Sequence, residues 1–333
     1  MDRIRLTNAN GLVVVVAPLG ATITEVHVPD RDGRLADVVH AFDGVPDDAE
    51  ARSYLGATIG RVANRIAGGR FELDGEVHVL AVNDPSTGSH LHGGRRGWDR
   101  ALWNVSALEG SSALELGHVS PDGDEGYPGT VTAAVRFELT DDDELRVEMR
   151  ATTDRPTLVA MAHHGYWNLG GTGSGTIADH ELTLFASHRA PGMPPSTAEA
   201  RPVAGTPFDF TSPRRIGPWL EQAGGDPPGF DHAFLVDGEP HQLRPVARLA
   251  DPRSGRVMTL SADQRSVQLY TGNLLDGSTR GKGAVHARHS ALCLESQAVP
   301  NAVHIPAWRG DVVLRAGETY RHRMVFRFSA AAG

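Results

Sequence analysis

The stretch Val131-Thr-Ala-Ala-Val-Arg-Phe-Glu-Leu139 and, after an acidic run, Leu145-Arg-Val-Glu-Met149 together decide the fold class. Both segments place an apolar side chain at every second position, and successive side chains of a β-strand point to opposite faces of a sheet. The acidic run Asp141-Asp-Asp-Glu144 predicts a solvated turn, not a metal site. The two segments therefore predict neighbouring antiparallel strands that share one apolar face.

The same pattern recurs toward both ends of the chain. The range Gly11–Ala17 is a candidate for a buried strand, and the range Thr22–Val28 alternates. Near the C-terminus, Met324, Phe326 and Phe328 fall on one side of a further strand. Strands of this kind along most of the chain are typical of an antiparallel sheet protein.

A further hairpin is predicted around Asp74-Gly75, because this pair suits a tight turn with positive φ. Its apolar residues are expected on one face: Phe71, Leu73, Val77 and Val79. Only Asp47–Tyr54 and Ser212–Ala223 suggest short helices. We therefore predict an all-β chain with one domain over residues 1–333, a large antiparallel β-sandwich.

Composition narrows the class of protein. The 333 residues are 22% charged and carry a net charge of −9, which argues against a nucleic-acid partner. Cys293 is the one cysteine, so no intrachain disulfide can form. The N-terminus lacks the apolar run of a signal peptide, and no stretch reaches membrane-span length. We expect a cytoplasmic protein, a monomer or homodimer, with no membrane partner.

The first candidate for chemistry is the stretch from Thr157 to Leu169. Its apolar first half runs into His163-His164-Gly, which is followed by the aromatic pair Tyr166-Trp167. Imidazoles beside flat rings at a strand end suit a sugar, which has an apolar face and a rim of hydroxyls. An isolated histidine is more often a hydrogen-bonded structural residue, so other residues must support this hypothesis.

Glu295 is the second candidate. It follows the apolar run Ala291-Leu-Cys-Leu294 and precedes a turn at Pro300, so it is predicted where a strand leaves the core. Partial desolvation there favours the neutral carboxyl group and makes the ionised form a stronger base. The alternative is a strand-end glutamate paired with an arginine, and the stretch alone leaves both open.

Seven short segments in a fixed order carry a resemblance to a known family, the aldose 1-epimerases (galactose mutarotases). The segments are Gly60-Arg-Val-Ala-Asn-Arg-Ile66, Leu91-His-Gly-Gly94 with Gly97-Trp-Asp99, Asp122-Gly-Asp-Glu-Gly-Tyr-Pro-Gly129, His164-Gly-Tyr-Trp-Asn-Leu169, Phe230-Asp-His232, Gln268-Leu-Tyr-Thr-Gly-Asn-Leu-Leu-Asp-Gly277 and Leu294-Glu-Ser-Gln297. Together they span more than two hundred residues, so the chain resembles this family along nearly its whole length.

The resemblance implies a galactose mutarotase-like supersandwich with the sugar in an open cleft. It also implies that His164 is the general acid, Glu295 the general base and His92 a second active-site histidine. The residues that fall where the family binds sugar hydroxyls are Asn64, Arg65, Asp231 and Gln268. Positions that depart from the family's usual residues, and bear on sugar preference, are His163, Gly165, Trp167, Ser296, Ala298 and Asn301.

The implied reaction interconverts the α and β anomers of a free aldohexose such as galactose or glucose. A base takes the proton of the anomeric hydroxyl while an acid protonates the ring oxygen, and reclosure after bond rotation gives the other anomer. A carboxylate and an imidazolium on opposite sides of the acetal carbon suffice, so we expect neither a cofactor nor a metal. The partner is a small-molecule aldose.

Three alternatives remain at this point. The chain could be a non-catalytic sugar-binding or regulatory protein on the same scaffold. It could be a metal-dependent enzyme built on four histidines, which are His90, His92, His163 and His164. It could also be a hexose-6-phosphate epimerase, with Arg95 and Arg96 binding the phosphate.

Overall fold

A computed structural model describes residues 3–44, 53–110 and 112–331. The first strands are β1 (Ile4–Thr7), β2 (Val13–Ala17), β3 (Thr22–Pro29), β4 (Leu35–Asp37), β5 (Thr58–Ile59), β6 (Arg65–Ala67), β7 (Arg70–Leu73), β8 (Glu76–Val79), β9 (Ser89–Leu91), β10 (Asn104–Glu109), β11 (Ala113–Ser120), β12 (Val131–Leu139), β13 (Glu144–Thr153), β14 (Thr157–Leu158) and β15 (Ala162–His163). The later ones are β16 (Tyr166–Trp167), β17 (Glu181–Leu184), β18 (His188–Arg189), β19 (Arg201–Pro202), β20 (Arg214–Arg215), β21 (Asp231–Leu235), β22 (Arg244–Ala250), β23 (Arg256–Ala262), β24 (Ser266–Tyr270), β25 (Arg280–Gly281), β26 (Ala284–Val285), β27 (Leu292–Gln297), β28 (Val313–Leu314) and β29 (Tyr320–Ala330). Short 3₁₀ helices lie at Trp98–Arg100, Asp124–Gly126, Gly217–Trp219, Glu221–Ala223, Ala302–His304 and Arg309–Asp311.

The largest sheet has nine strands in the order β10-β11-β12-β13-β29-β23-β22-β17-β20. Its third and fourth strands are the predicted pair β12 and β13, in which Val135 lies opposite Met149 and Phe137 opposite Val147. All four side chains are buried, so the alternating apolar residues form one inner face. The acidic run forms the turn between the strands, as predicted.

A six-stranded sheet, β16-β27-β24-β21-β18-β19, lies against the apolar face of the large sheet. Trp167 in β16 contacts Phe326 in β29, with ring centroids 5.1 Å apart, and Leu294 in β27 belongs to the same core cluster. The strand pairs in both sheets are antiparallel. The predicted all-β antiparallel sandwich is therefore confirmed.

The predicted face of the β7–β8 hairpin is wrong. Phe71 and Leu73 are buried, but Val77 and Val79 are exposed by 53% and 73%. In a hairpin with a two-residue turn, the residues on either side of the turn share a face, and Leu73 pairs with Glu76. The parity therefore changes at Asp74-Gly75, and the two valines point to the opposite side from Phe71.

The two helix predictions have different outcomes. Most of Asp47–Tyr54 lies outside the described residues. Ser212–Ala223 is not one helix, because it forms β20 and two separate 3₁₀ helices. Pro218, which lacks a backbone N–H, interrupts the hydrogen bonds of an α-helix there. No helix in the described ranges has the length and hydropathy needed to cross a bilayer.

Candidate active site

His164 lies where the chain changes its pairing partner. The preceding strand β15 pairs with β5, whereas the following strand β16 pairs with β27. The ring of His163 points into the core, 6.1 Å from the ring of Phe326, and His164 faces the cleft. Adjacent residues in extended backbone point to opposite sides, so only one of the two histidines reaches a ligand.

Glu295 comes from β27, where it pairs with Gln268 of β24. All six residues of β27 are buried, and the strand continues to Gln297. The prediction that Glu295 lies at a strand end is therefore wrong, although its desolvation is greater than expected. Among the described residues it makes no ion pair with an arginine; the basic group beside it is His164.

The two candidate proton-transfer groups face each other directly. Nε2 of His164 lies 3.6 Å from Oε1 of Glu295, and the side chains are 6% and 2% exposed. At this distance the two groups lie side by side in the cleft. The expectation that they stand on opposite sides of the acetal carbon stays a prediction.

Burial shifts both groups toward their neutral forms. It raises the pKa of Glu295 well above its usual range, and the nearby carboxylate of Asp231 adds to this effect. Burial lowers the pKa of the His164 imidazole to about 4. In the free site a carboxylic acid therefore stands beside a neutral imidazole, and the pair holds one transferable proton.

His92 follows β9 with a positive φ of 50° and reaches the same place from another loop. Its Nδ1 accepts a hydrogen bond of 3.1 Å from the backbone N–H of Asn64. Burial lowers the pKa of His92 well below its usual range, so the ring is neutral and carries its proton on Nε2. The ring of His92 lies edge-on to that of His164, with centroids 5.2 Å apart. His92 can therefore donate a hydrogen bond to an uncharged ligand oxygen.

The predicted hydroxyl-binding residues form a connected polar group. Arg65 donates from Nη1 to the Asn64 side-chain oxygen at 3.2 Å, and its Nη2 lies 3.7 Å from Oδ2 of Asp231. Nε2 of Gln268 donates to Asp231 at 2.5 Å. The Gln268 side-chain oxygen is buried and has no hydrogen-bond partner among the described residues. The structure thus brings all seven predicted site residues together, and several of their polar atoms are available to a polar ligand.

Aromatic and aliphatic side chains form the walls of the cleft. Tyr166 stacks on His164 with centroids 5.1 Å apart and an interplanar angle of 17°. Tyr54, Tyr270 and Leu274 also line the cleft. Leu274 is 73% exposed, so it presents an apolar lip at the entrance. Flat apolar surfaces around convergent polar groups are typical of sugar sites.

The four-histidine metal hypothesis is not supported by the positions of the rings. Nδ1 of His90 bonds to the backbone oxygen of Ala81, and the ring of His163 lies in the core. Ligand atoms of His92, His164 and Glu295 do lie within 4.8 Å of one another, a spacing that also allows a metal.

The positions of Arg95 and Arg96 do not support the hypothesis that they bind a phosphate. Arg95 and Arg96 donate their backbone N–H groups to the carboxylate of Glu125. Neither arginine lines the cleft that contains His164.

Two contacts of the site were missed from the sequence. Asp84 accepts a hydrogen bond of 2.8 Å from Nε of Arg65. Burial would raise the pKa of Asp84, but hydrogen bonds from Ser86, Arg65 and Thr87 lower it to about 2. The second is Cys293, whose sulfur lies 3.5 Å from Nδ1 of His164. The turn sequence around Asp84 signals a loop but not its partner, and the thiol is hidden in an apolar run.

The comparisons with known proteins agree with this geometry. The family model described as Aldose 1-epimerase matches residues 2–327. The chain belongs to the aldose 1-epimerase family. It is 42% identical to galactose mutarotase of Bos taurus over 323 residues, which cover 96% of this chain and 92% of the relative. It is 33% identical to aldose 1-epimerase of Escherichia coli over 335 residues, covering 98% and 94%.

Solved structures of the aldose 1-epimerase family superpose on the whole chain. An aldose epimerase homologue from C. elegans has a TM-score of 0.88 at 28% identity, with 99% of both chains covered. Galactose 1-epimerase from Lactobacillus acidophilus has a TM-score of 0.83 at 26% identity, covering 98% of this chain and 94% of the other. The family's enzymes are isomerases, and the resemblance inferred from the seven segments is confirmed.

Proposed function

We propose that this aldose 1-epimerase family member equilibrates the α and β anomers of a free aldohexose, galactose or glucose, by proton transfer between Glu295, His164 and the sugar. The observation that carries the proposal is the distance of 3.6 Å between Oε1 of Glu295 and Nε2 of His164 inside a polar cleft. The anomeric hydroxyl and the ring oxygen are bonded to the same carbon, so two groups this close can address both at once.

Ring opening begins after the proton of the Glu295 carboxyl group has moved to Nε2 of His164, which leaves a carboxylate beside an imidazolium. The carboxylate takes the proton of the anomeric hydroxyl, Nε2 gives its proton to the ring oxygen, and the bond from C1 to that oxygen breaks. The products are an aldehyde, a carboxylic acid and a neutral imidazole. Burial favours this neutral pair, since it raises the pKa of Glu295 and lowers that of His164.

Ring closure reverses the transfers after rotation about the C1–C2 bond. The imidazole takes back the hydroxyl proton and Glu295 returns its proton to the carbonyl oxygen, so the enzyme ends as it began. Each positioned proton transfer is worth roughly 10²–10⁴-fold. His92, Asn64 and Arg65 are assigned to hold the sugar hydroxyls while C1 turns.

Polarimetry of freshly dissolved α-glucose and α-galactose tests the proposal. We expect the approach to anomeric equilibrium to accelerate in proportion to enzyme concentration after subtraction of the buffer rate. Binding of either sugar without acceleration would favour the non-catalytic alternative. Acceleration confined to hexose 6-phosphates would favour the phosphorylated class.

A further inference from the structure

The sulfur of Cys293 lies at the nitrogen of His164 that does not face Glu295. The distance from Sγ to Nδ1 is 3.5 Å, and Cys293 is completely buried. The Cys293 sulfur is the side-chain partner of Nδ1, and the ring also interacts with the backbone of His164 itself. A histidine that exchanges a proton at one nitrogen depends on the contact at the other, which fixes the tautomer and the ring orientation.

One strand supplies the partners of both nitrogens. Cys293 and Glu295 are two positions apart in β27, so their side chains lie on the same face, about 7 Å apart along the strand. His164 spans this interval, with Nδ1 toward the sulfur and Nε2 toward the carboxyl group. Neighbouring strands fix the thiol, because Cys293 pairs with Tyr166 on one side and Tyr270 on the other.

We propose that Cys293 is a positioning residue of the reaction: its sulfur holds Nδ1 of His164, so that Nε2 is the nitrogen that exchanges a proton with the sugar. The inference rests on the proposed function. In the free enzyme Nδ1 carries the imidazole proton and donates it to the sulfur, so Nε2 is unprotonated and faces the carboxyl group of Glu295. During turnover the imidazolium keeps Nδ1–H on the sulfur and releases the Nε2 proton. The sulfur is a weak acceptor in both states.

Because sulfur is a weak hydrogen-bond acceptor, it also affects how readily the His164 imidazolium gives up its proton. A strong acceptor at Nδ1 would stabilise the imidazolium and make it a poorer acid. Sulfur satisfies the N–H without this stabilisation, which suits transfer to a weakly basic ring oxygen. Burial raises the pKa of the Cys293 thiol well above its usual range, so the sulfur remains a neutral thiol.

Other titratable groups surround the His164–Glu295 pair, and substitutions at Cys293 leave their identity unchanged. They are Tyr54, Arg65, His92, His163, Tyr166, Asp231 and Tyr270. The comparison therefore uses variants of Cys293 alone.

The test compares Cys293→Ser, which offers a stronger acceptor, with Cys293→Ala, which offers none. Leu294→Val is the matched control, because it is the next residue on the strand and faces the main core. The dependence of kcat and KM on pH is measured for each. A stronger acceptor at Nδ1 should raise the pKa of the His164 imidazolium, and loss of the acceptor should lower it. We therefore expect the midpoint of the acid-side fall in kcat to rise by about 0.5–1 pH unit in Cys293→Ser and to fall in Cys293→Ala.

The size of the rate effect follows from the loss of one hydrogen bond. In Cys293→Ala kcat should fall by roughly 2- to 10-fold, with KM unchanged, because the buried thiol does not reach the sugar. Shifts of both variants in the same direction, or a midpoint equal to that of wild type in folded variants, would overturn the proposal. So would a shift of the same size in Leu294→Val.

Nitrogen NMR of the free wild-type protein tests the contact without relying on catalysis or on a variant that folds. His164 is assigned by the loss of its signals in His164→Gln. At neutral pH we expect the proton on Nδ1, hydrogen-bonded to the sulfur, and an unprotonated Nε2. A proton on Nε2 would overturn the inference even if mutarotation is observed. The expected tautomer without mutarotation would instead count against the proposed function.

Discussion

The two large sheets use burial in different ways. In the nine-stranded sheet, strand β12 alternates between buried apolar residues and more exposed polar ones. In the six-stranded sheet, strand β27 is buried along its whole length although it contains Glu295, Ser296 and Gln297. Burying polar groups costs free energy unless they find partners. The first sheet therefore contributes mainly stability, whereas the second bears a cost in free energy that the proposed role of Glu295 requires.

His163 and His164 show the same contrast at adjacent positions. Burial lowers the pKa of His163 to about 3, and neither of its ring nitrogens has a hydrogen-bond partner in the described structure. His164 has a thiol at one nitrogen and a carboxyl group at the other. Residue type and burial are the same, so the partners distinguish a core histidine from a candidate catalyst.

The largest effect is expected from Glu295→Gln and His164→Gln. Each change roughly keeps size and polarity but removes the exchangeable proton, so kcat should fall by about 10²-fold or more with little change in sugar affinity. Because both groups act in one ring opening, the double variant should lose far less than the product of the two single losses.

His163→Gln is the matched control for these variants. It makes the same replacement one position away, on the core side of the strand. We expect a lower melting temperature and a kcat within a few-fold of wild type. A near wild-type kcat in Glu295→Gln would remove Glu295 from the mechanism, and equal kcat losses at His163 and His164 would remove the contrast between them.

The next effect concerns sugar binding by the polar group around Arg65. Charge-assisted hydrogen bonds are worth about 1.5–3 kcal/mol, so Asp231→Asn and Arg65→Ala should weaken binding by about that amount. The losses should differ between glucose and galactose, since the sugars differ in hydroxyl direction. Calorimetric titration of each sugar measures this, and unchanged affinities would place the sugar elsewhere.

The sequence predicted much of the contrast between the two sheets. Alternation over Val131–Leu139 predicted the scaffold strand, because its inward side chains are apolar and its outward ones polar. Alternation did not identify Glu295 as fully buried, since a polar residue inside an apolar run resembles a strand end. The resemblance supplied the pairing of Glu295 with His164, which are 131 positions apart. Contacts without a motif, such as Arg65 with Asp84, require the three-dimensional structure.

A smaller effect is expected in the scaffold sheet. Val135 is completely buried, so Val135→Ala should lower the free energy of unfolding by about 2 kcal/mol, from two buried carbons and the cavity they leave. Thr132→Ala, on the exposed face of the same strand, should change it by less than about 0.5 kcal/mol. Denaturant titration measures both, and kcat should stay at the wild-type value. A large loss of kcat in Val135→Ala would show that the scaffold also shapes the cleft.

Acid should destabilise the cleft more than it destabilises exposed ion pairs. The folded-state pKa of Asp84 is lowered to about 2, against about 3.9 in an unfolded chain. Its stabilising contribution is therefore complete above about pH 4 and is lost as the pH falls toward 2. The stability difference between wild type and Asp84→Asn should shrink over that window. The exposed Asp74, paired with Arg315, is the control, and Asp74→Asn should have little effect at any pH. A constant difference for Asp84→Asn would contradict the assignment.

The smallest effect, none, is expected from removal of metal ions. Ligand atoms of His92, His164 and Glu295 lie close enough to hold a divalent cation, so proton transfer and metal catalysis can be separated only by experiment. In the proposed mechanism every charge that develops is neutralised by a proton, and nothing remains for a Lewis acid to stabilise. Exhaustive chelation should therefore leave kcat unchanged for both sugars. Loss of activity that one divalent ion restores would assign these three groups to a metal. The contrast between the two sheets would then be a contrast between an apolar core and a metal centre.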